Sequence, residues 1–388
     1  MNADSPLVKV FVESVHEKCG LKWAEGMSFN LPEPLLIKSG LRESIDVRGL
    51  LRLSDNVSSV TVSDAAELRL RRAFTPRPPL SSRLPISYQK FPPKVRSLIA
   101  STVGRLRRGR ADRWAAFPAW PLDLSADFLA DMADSASSPF RNGPTPVVLT
   151  HDLDSAEGLT NLTRWFLAEE EAVGARSVSY VVPRKWPVDY SQLDEVKQRG
   201  HELGIHGYDH SNRTPYVEAR QRAQRLNAAM DLIERYEIIG YRSPSLLRTR
   251  ELLHDLGRYY RYDSSIPAAG GMFPVPNNGC ASARPFEVEG IIEIPITMPR
   301  DGSLLFLGYH PDKILDMWIS CAEHIARSGG IVMLLTHCEA RFSGNKTMLS
   351  VYRRFLEHVA SSSKYEWNTP SHVLTKFFHR ERIGVQEG

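Results

Sequence analysis

Short apolar runs alternate with helical patterns over the second half of the chain, from about residue 146 onward. Seven such runs, many of them rich in valine and isoleucine, are each followed by a stretch of helical character or by polar residues. Strands that alternate with helices pair in parallel, because each helix returns the chain to the same end of the sheet. Seven units are enough to curl a sheet towards a barrel. The pattern therefore predicts an α/β fold in which a parallel sheet of seven strands curls towards a barrel.

The limits of these elements follow from the pattern and from glycines such as Gly174 and Gly200, which stand just past helix ends where a left-handed residue is favoured. The predicted strands lie near residues 147–150, 178–182, 203–205, 238–241, 259–262, 291–297 and 331–336. The predicted helices cover residues 159–173, 191–199, 215–236, 249–257, 311–328 and 346–361.

The first 140 residues differ in composition from the rest of the chain. They are rich in arginine, proline and serine, and their prolines interrupt any long helix or strand. We predict that residues 1–140 form an accessory region of mixed α/β structure and unknown role. The barrel is predicted to occupy residues 146–380.

One helix stands out in the accessory region, at about residues 94–113. Its apolar residues share one face, and six arginines supply positive charge. Such a helix can pack its apolar stripe on a neighbouring domain, or it can lie on an anionic membrane surface. We favour packing, because helices with one solvated face are the norm. Nucleic-acid binding is not favoured, because no aromatic residues are interleaved with the arginines.

Composition sets modest limits on the class of protein. A hydrophobic content of 42%, a charged content of 24% and a net charge of +4 are those of an ordinary globular protein. The four cysteines are widely spaced and form no Cys-x-x-Cys pair, so neither a zinc ribbon nor a disulfide framework is indicated. The sequence shows no apolar leader and no run of about 18 apolar residues. We therefore expect a cytoplasmic protein, with membrane association as the alternative that the basic helix raises.

Polar residues that could bind a metal or transfer a proton follow five of the predicted strands. In barrels of parallel strands the reactive side chains stand at the carboxyl ends, where the loops converge on one mouth. Two histidines and a carboxylate are ligands that a borderline metal accepts. The residues concerned are Asp152, Asp154, His206, His210, Arg242, Asp263 and His337.

The segment from about 146 to 375 resembles the polysaccharide deacetylase (NodB-like) family, carbohydrate esterase family four. Leu-Thr-His-Asp-Leu-Asp at 149–154 is similar to the family's first motif, and His-Gly-Tyr-Asp-His at 206–210 to its metal-binding His-x-x-x-His. Arg-Ser-Pro at 242–244, Tyr-Asp-Ser-Ser at 262–265 and Leu-Thr-His at 335–337 stand where the remaining motifs belong. Five motifs in the right order make coincidence improbable, although each alone is weak.

The resemblance implies a distorted seven-stranded β/α barrel and a divalent ion held by Asp154, His206 and His210. The ion is expected to be zinc, with cobalt or nickel as alternatives. Leu153 separates two aspartates that are adjacent in the usual motif, so the reverse assignment of Asp152 and Asp154 stays open.

The same resemblance implies four catalytic roles. Asp152 would accept a proton from water, and His337 would protonate the leaving amine. Arg242 would pair with Asp152, and Asp263 would support the charged form of His337.

Simpler interpretations of the same residues exist. A histidine pair at this spacing could lie on a helix surface, and Asp152 and Asp154 could cap the helix that follows them. Arg242 and Asp263 could form a structural ion pair. In the His206–His210 segment Gly207 replaces the serine or threonine that normally braces the loop in the family, so the loop geometry is not fixed by the motif.

Taken together, the residues and the resemblance indicate a metal-dependent N-deacetylase. Its substrate would be an N-acetylated amino sugar in an intracellular glycan, glycolipid or polysaccharide precursor, with a lipid-linked substrate as one form. The alternatives are a deformylase of a lipid-linked formamido sugar and a catalytically inactive sugar-binding module. The particular sugar and the oligomeric state are not determined by the sequence.

Overall fold

The computed structural model describes residues 36–39, 42–46, 62–83, 93–111, 119–127, 130, 143–270, 272–273 and 278–384. Most of the predicted accessory region therefore lies outside the described residues.

The described part of that region contains two strands and three helices. Strands β1 and β2 pair with each other in antiparallel fashion. The elements are β1 Leu36–Ser39, β2 Arg42–Asp46, α1 Val62–Arg71, α2 Leu80–Arg83 and α3 Pro93–Ala111. Helix α3 is the predicted basic helix, and its limits agree with the predicted 94–113 to within two residues.

The accessory region contacts the rest of the protein directly. Ala65 and Leu68 of α1 belong to the same buried cluster as Val147. The backbone N–H of Thr75 donates to the carbonyl of Arg248 at 2.8 Å. Residues 65–83 therefore pack on the larger unit, although the boundary near residue 140 stays a prediction.

The main sheet contains nine strands among the described residues, and it is curled. Its order is β10-β3-β4-β5-β6-β7-β9-β8, and β11 also pairs with β3. All pairings are parallel except the one between β8 and β9. The strands are β3 Thr145–Leu153, β4 Ser177–Val181, β5 Glu202–Ile205, β6 Gly240–Tyr241, β7 Tyr262–Asp263, β8 Phe286–Val288, β9 Ile291–Glu293, β10 Val332–His337 and β11 Tyr365–Asn368.

The curled parallel α/β sheet is confirmed, and each of the seven predicted strands overlaps one of its strands, the fifth only at Tyr262. Two further strands were not predicted. Strand β8 joins β9 through Glu289 and Gly290, which both have positive φ values of 51° and 81°. Two central residues with positive φ make a tight turn that suits a hairpin, and a hairpin gives antiparallel pairing.

The helices after β3 surround this sheet. They are α4 Ala156–Asn161, a π-helical turn at Leu162–Phe166, α5 Leu167–Ala172, α6 Tyr190–Gln198, α7 Ala219–Asn227, α8 Met230–Tyr236, α9 Arg250–Leu256, α10 Asp301–Phe306, α11 Pro311–Ser328, α12 Lys346–Ala360 and α13 Pro370–Gly384. The predicted helix at 159–173 is interrupted by the π-helical turn, and the one at 215–236 is divided near residue 228. Helices α10 and α13 were not predicted. No helix in the described ranges has the length and apolar character needed to cross a bilayer.

Alternate residues of the strands face two different apolar layers. Val147 and Leu149 of β3 pack towards the surrounding helices, whereas Val148 points into a smaller cluster enclosed by the curl of the sheet. Tyr180 and Leu335 belong to that inner cluster. Because both faces of a parallel sheet are covered, its strands are largely apolar on both sides. The carboxyl ends of the strands are therefore the place for a polar site.

Candidate active site

A cavity of about 670 Å³ opens at the carboxyl ends of the parallel strands. Five of the seven predicted site residues line it, and they are Asp152, Asp154, His206, His210 and His337. Arg242 is fully buried behind Asp152, and Asp263 does not line the cavity. The sheet register explains this convergence, because Asp152 of β3 lies directly opposite His337 of β10.

Three of these residues form a cluster with the geometry of a metal site. One ligand atom from each of Asp154, His206 and His210 lies within 4.8 Å of the other two. Asp154 Oδ1 is 3.0 Å from His210 Nε2 and 3.6 Å from His206 Nε2. All three residues are buried, so a cation placed among them would be largely shielded from water.

The tautomer of His206 is set by its neighbour. Its Nδ1 lies 3.0 Å from the backbone carbonyl oxygen of Arg242, so Nδ1–H donates to that oxygen. Nε2 is then left with a free electron pair directed towards the cluster. Burial is the main cause that lowers the pKa of His206 to about 4. A neutral imidazole whose other nitrogen donates to a carbonyl is the form that binds metal.

His210 lies in an irregular loop, so the two histidines are not on a helix surface. Gly207 has a φ of +67°, and a side chain there would overlap the ring of Pro244. Asp209 braces the loop, because its Oδ1 accepts from the backbone N–H of Ser211 at 3.0 Å and from the Ser211 hydroxyl at 2.5 Å. Asp209 therefore stabilises the turn that contains His210.

Asp154 carries the atom that best fits a ligand. Its Oδ1 oxygen is buried yet accepts no hydrogen bond of ordinary geometry, despite its proximity to His210. Burial by itself raises the pKa of Asp154, but His210 and Lys185 outweigh it and hold this pKa well below the usual value. An ionised, unsatisfied carboxylate oxygen beside two imidazoles fits a divalent cation. The cap of α4 is Ser155, whose side chain accepts from Gly158 N, so neither aspartate serves as the helix cap.

Asp152 is bound by a buried arginine rather than by the histidines. Its Oδ1 accepts from Arg242 Nη1 at 3.0 Å, and its Oδ2 lies 3.5 Å from His206 Nε2. Burial raises the pKa of Asp152, but its electrostatic interactions with His206, Arg242 and His337 outweigh it and lower the value. Asp152 is therefore an ionised carboxylate at neutral pH, held beside the metal-site cluster.

Arg242 is fixed by further hydrogen bonds. Its Nη1 also donates to the Thr150 hydroxyl at 2.9 Å, and Nε and Nη2 donate to the carbonyl and the hydroxyl of Ser264 at 2.9 Å. Its guanidinium lies 4.1 Å from the ring centre of Tyr180. This arrangement leaves Arg242 one orientation, and it orients Asp152 in turn.

His337 is paired with Asp301, the first residue of α10. His337 Nδ1 donates to Asp301 Oδ1 at 2.8 Å, and the His337 backbone N–H donates to Asp301 Oδ2 at 2.8 Å. Burial lowers the pKa of His337, but Asp301 together with Asp152 outweighs it and raises the value to about 9. His337 is therefore protonated at neutral pH and lies at the cavity surface.

The predicted partner of His337 was wrong. Asp263 lies at the end of β7, where its carboxylate accepts from the Ser265 hydroxyl at 2.7 Å and lies next to the buried Glu293. Burial raises the pKa of Asp263 and raises that of Glu293 well above its usual value. Asp263 and Glu293 thus form a buried acid pair that belongs to the fold, and Asp301 takes the place assigned to Asp263.

Asp301 could have been found from the sequence. It follows the apolar run at 291–297, which is the sixth predicted strand, and it stands at the start of a helix. The five strand ends considered in the sequence did not include this one. Arg300 and Arg341 were also not singled out, yet both line the cavity, and Arg341 Nη2 lies 3.5 Å from Asp154 Oδ2.

Comparisons with known proteins find solved structures that are similar to this chain only at low identity. No family model matches the chain, and no curated protein matches it. A solved protein assigned as a polysaccharide deacetylase from Mycobacterium smegmatis superposes with a TM-score of 0.49 at 18% identity, covering 62% of this chain and 92% of that one. Puue allantoinase gives a TM-score of 0.48 at 14% identity, covering 63% and 94%. The chitin deacetylase of Colletotrichum lindemuthianum gives 0.39 at 13% identity, covering 60% and 88%.

Proposed function

We propose that this protein is a metal-dependent N-deacetylase that hydrolyses the N-acetyl group of an amino sugar. The observation that carries the proposal is the joint presence, at one cavity, of a three-ligand cluster, an ionised carboxylate and a protonated histidine. Asp154, His206 and His210 would hold the ion, Asp152 would be the base and His337 the acid. The residues fit zinc, with cobalt or nickel as alternatives, because two imidazoles and one carboxylate suit these borderline ions.

The reaction consumes one water and breaks one amide bond. When bound, a divalent ion supplies Lewis acidity that polarises a carbonyl group and makes a nearby water easier to deprotonate. Asp152 accepts the proton of the attacking water, while Arg242 holds this carboxylate ionised and oriented. His337 donates its Nε2 proton to the amide nitrogen as the carbon–nitrogen bond breaks. The products are acetate and a free amino sugar.

The proposed direction of proton transfer agrees with the shifted pKa values of Asp152 and His337. The pKa of Asp152 is lowered, so it is available as a base, and that of His337 is raised to about 9, so it is available as an acid. A pair of titratable groups whose pKa values are pushed apart is typical of acid and base roles. A decayed sugar-binding module has no need of such a pair, so hydrolysis is the better account of the site.

We further propose that the substrate is an intracellular glycan, glycolipid or polysaccharide precursor, handled in the cytoplasm. Support for the glycolipid form of this substrate comes from the cavity wall, where Val95, Ile99, Phe273 and Phe342 place apolar surface beside the ligand cluster. This surface suits a substrate with an apolar part as well as a sugar. A formylated amino sugar would place the same amide at the same groups, and its product, formate, distinguishes it from the acetylated substrate.

The test combines metal analysis with product release. Purified protein should contain about one equivalent of zinc, cobalt or nickel and release acetate from an N-acetylated amino sugar. The His206→Ala variant should lose both metal and activity, whereas Asp152→Asn and His337→Asn should keep the metal and lose turnover. His310→Ala is the matched control, because His310 is 78% exposed and does not line the cavity. Activity that persists in Asp152→Asn and His337→Asn would contradict the proposal.

A further inference from the structure

Four large apolar side chains of α3 are exposed at the surface of the protein. They are Val95, Leu98, Ile99 and Leu106, which are 42%, 68%, 59% and 77% exposed. Their spacing of three, four and seven residues places them on one face of the helix, hereafter the α3 ridge. Thr102 lies on the same face, and its hydroxyl donates to the Leu98 carbonyl at 2.9 Å, so it needs no other partner. The ridge is an apolar strip on the surface.

The expectation that this stripe packs inward was therefore wrong. The face that packs contains Gly104 and Ala111, which are buried. Gly104 allows the contact, because a side chain there would overlap the Phe306 carbonyl at the end of α10. Arg108 adds to the anchor, since its guanidinium lies 4.3 Å from the ring centre of Tyr309. A close approach through glycine leaves the larger apolar residues outside.

Positive charge borders the ridge on both sides. On a helix with 100° between residues, Arg105 falls at one margin of the apolar strip and Arg110 at the other, and both are exposed. Helices that lie in a membrane interface have this arrangement, with apolar side chains towards the acyl chains and basic ones level with the headgroups. We propose that the α3 ridge docks this protein on an anionic lipid surface.

A second copy of the chain suits the ridge less well than lipid does. In a symmetric contact the same patch meets itself, so the arginines that border one ridge would face those that border the other. Like charges placed together at an interface oppose association. An anionic lipid surface offers negative charge to the arginines and hydrocarbon to the leucines at the same time.

Docking would also place the cavity at the lipid surface. Val95 and Ile99 of the ridge line the cavity that holds Asp154, and so do Arg96 and Arg107 from the neighbouring face of α3. A substrate anchored in the bilayer could then enter beside the ridge without leaving the membrane. This consequence rests on the proposed function, whereas the docking itself does not.

The test measures binding of the full chain to lipid vesicles by co-sedimentation. Vesicles of three parts phosphatidylcholine to one part phosphatidylglycerol should bind the protein, and pure phosphatidylcholine vesicles should bind it at least about tenfold less. Leu98→Ser with Leu106→Ser should weaken binding to the anionic vesicles at least about tenfold. Arg105→Gln with Arg110→Gln should weaken it by roughly fivefold per charge at low salt.

The matched control is Trp165→Ser, because Trp165 is another large apolar side chain that is 42% exposed, and it lies on the π-helical turn. This variant should bind vesicles as the wild type does. Unchanged binding by the Leu98/Leu106 variant, or no binding to anionic vesicles, would overturn the proposal. A dimer in light scattering that the leucine substitutions abolish, without vesicle binding, would assign the ridge to a second copy instead.

Failure of this proposal can be told apart from failure of the proposed function. Leu98 and Leu106 do not line the cavity, so their variants should release acetate from a water-soluble substrate at the wild-type rate. Thermal unfolding should also be unchanged, because exposed leucines add little to the stability of the folded state. Lost vesicle binding with intact turnover supports the ridge, and intact binding with no turnover in the wild type rejects only the hydrolase.

Discussion

The pairing of His337 with Asp301 makes a quantitative prediction for the Asp301→Asn variant. Asp301 accepts hydrogen bonds from His337 Nδ1, from the His337 backbone, from Gly302 N and from the Ser343 hydroxyl. Asparagine keeps the shape of the side chain but removes the charge. Burial lowers the pKa of His337, whereas Asp152 and Asp154 still raise it, so loss of Asp301's negative charge should bring it from about 9 to near its ordinary value of 6.5. That change corresponds to about 3 kcal/mol, at about 1.4 kcal/mol per pH unit.

The consequence for activity lies in the alkaline limb of the pH profile. If His337 must be protonated, wild-type kcat/KM should fall as the pH rises through about 9, whereas in Asp301→Asn the fall should occur near 6.5. At pH 7.5 the variant should therefore lose about tenfold in kcat/KM, and most of this loss should be recovered at lower pH.

The same substitution should also change how the free energy of unfolding depends on pH. A histidine whose pKa is raised by folding stabilises the protein below its unfolded pKa, and the stabilisation disappears as pH rises through the folded pKa. The free energy of unfolding of Asp301→Asn should thus be lower than that of the wild type by about 3 kcal/mol below pH 6.5, and by little above pH 9.

Ser343→Ala is the control for this series. It removes one hydrogen bond to the same carboxylate without removing the charge, so the alkaline limb should stay near pH 9. An Asp301→Asn enzyme whose alkaline limb remains at pH 9 would refute the assignment of His337 as an acid held charged by Asp301.

Three further substitutions test the surroundings of the site. Gly207→Ala should lower the free energy of unfolding by at least about 1–2 kcal/mol in urea, since φ is +67° there; an unchanged midpoint would contradict the strained turn. Arg242→Lys keeps the charge but not the fork that orients Asp152, so kcat should fall at least about tenfold with metal content retained; wild-type kcat would rule this out. Glu170→Gln breaks the contact with His151 at 2.7 Å, and its stability deficit should shrink as pH falls below 4.5, because folding lowers the pKa of Glu170; a pH-independent deficit would exclude the charge as the cause.

The sequence was sufficient to predict most of the strand ends and the three side chains that cluster there. Apolar runs that alternate with helical patterns predict parallel strands, and the polar residues after them predict one cavity, as Asp154, His206 and His210 illustrate. The helix at 311–328 has the predicted limits, because proline and glycine mark its two ends. Local signals of this kind are read directly from neighbouring residues.

Contacts between distant residues could not be predicted in the same way. Two aspartates, Asp263 and Asp301, follow predicted strands, and either could pair with His337 in a barrel. Which of them does so depends on which strand end lies beside β10. Strand β9, which precedes Asp301, pairs with β7 and β8, yet the chain after it crosses to β10, where Met298 N donates to Met333 O at 3.1 Å. That crossing brings α10 to His337. It depends on how far the sheet curls, which no single run of residues specifies.

The orientation of α3 shows the same limit in a helix. Periodicity identifies which residues share a face, but packing is decided by which face can approach its neighbour. A face with Gly104 approaches the backbone of α10 more closely than a face with Leu98 could, so the small face is anchored and the apolar face is left outside. Replacement of Gly104 by leucine should therefore displace α3 from α10 and lower the melting temperature, whereas Leu98→Ser should leave it unchanged. If both substitutions lowered it equally, the apolar face would be part of the packed surface after all.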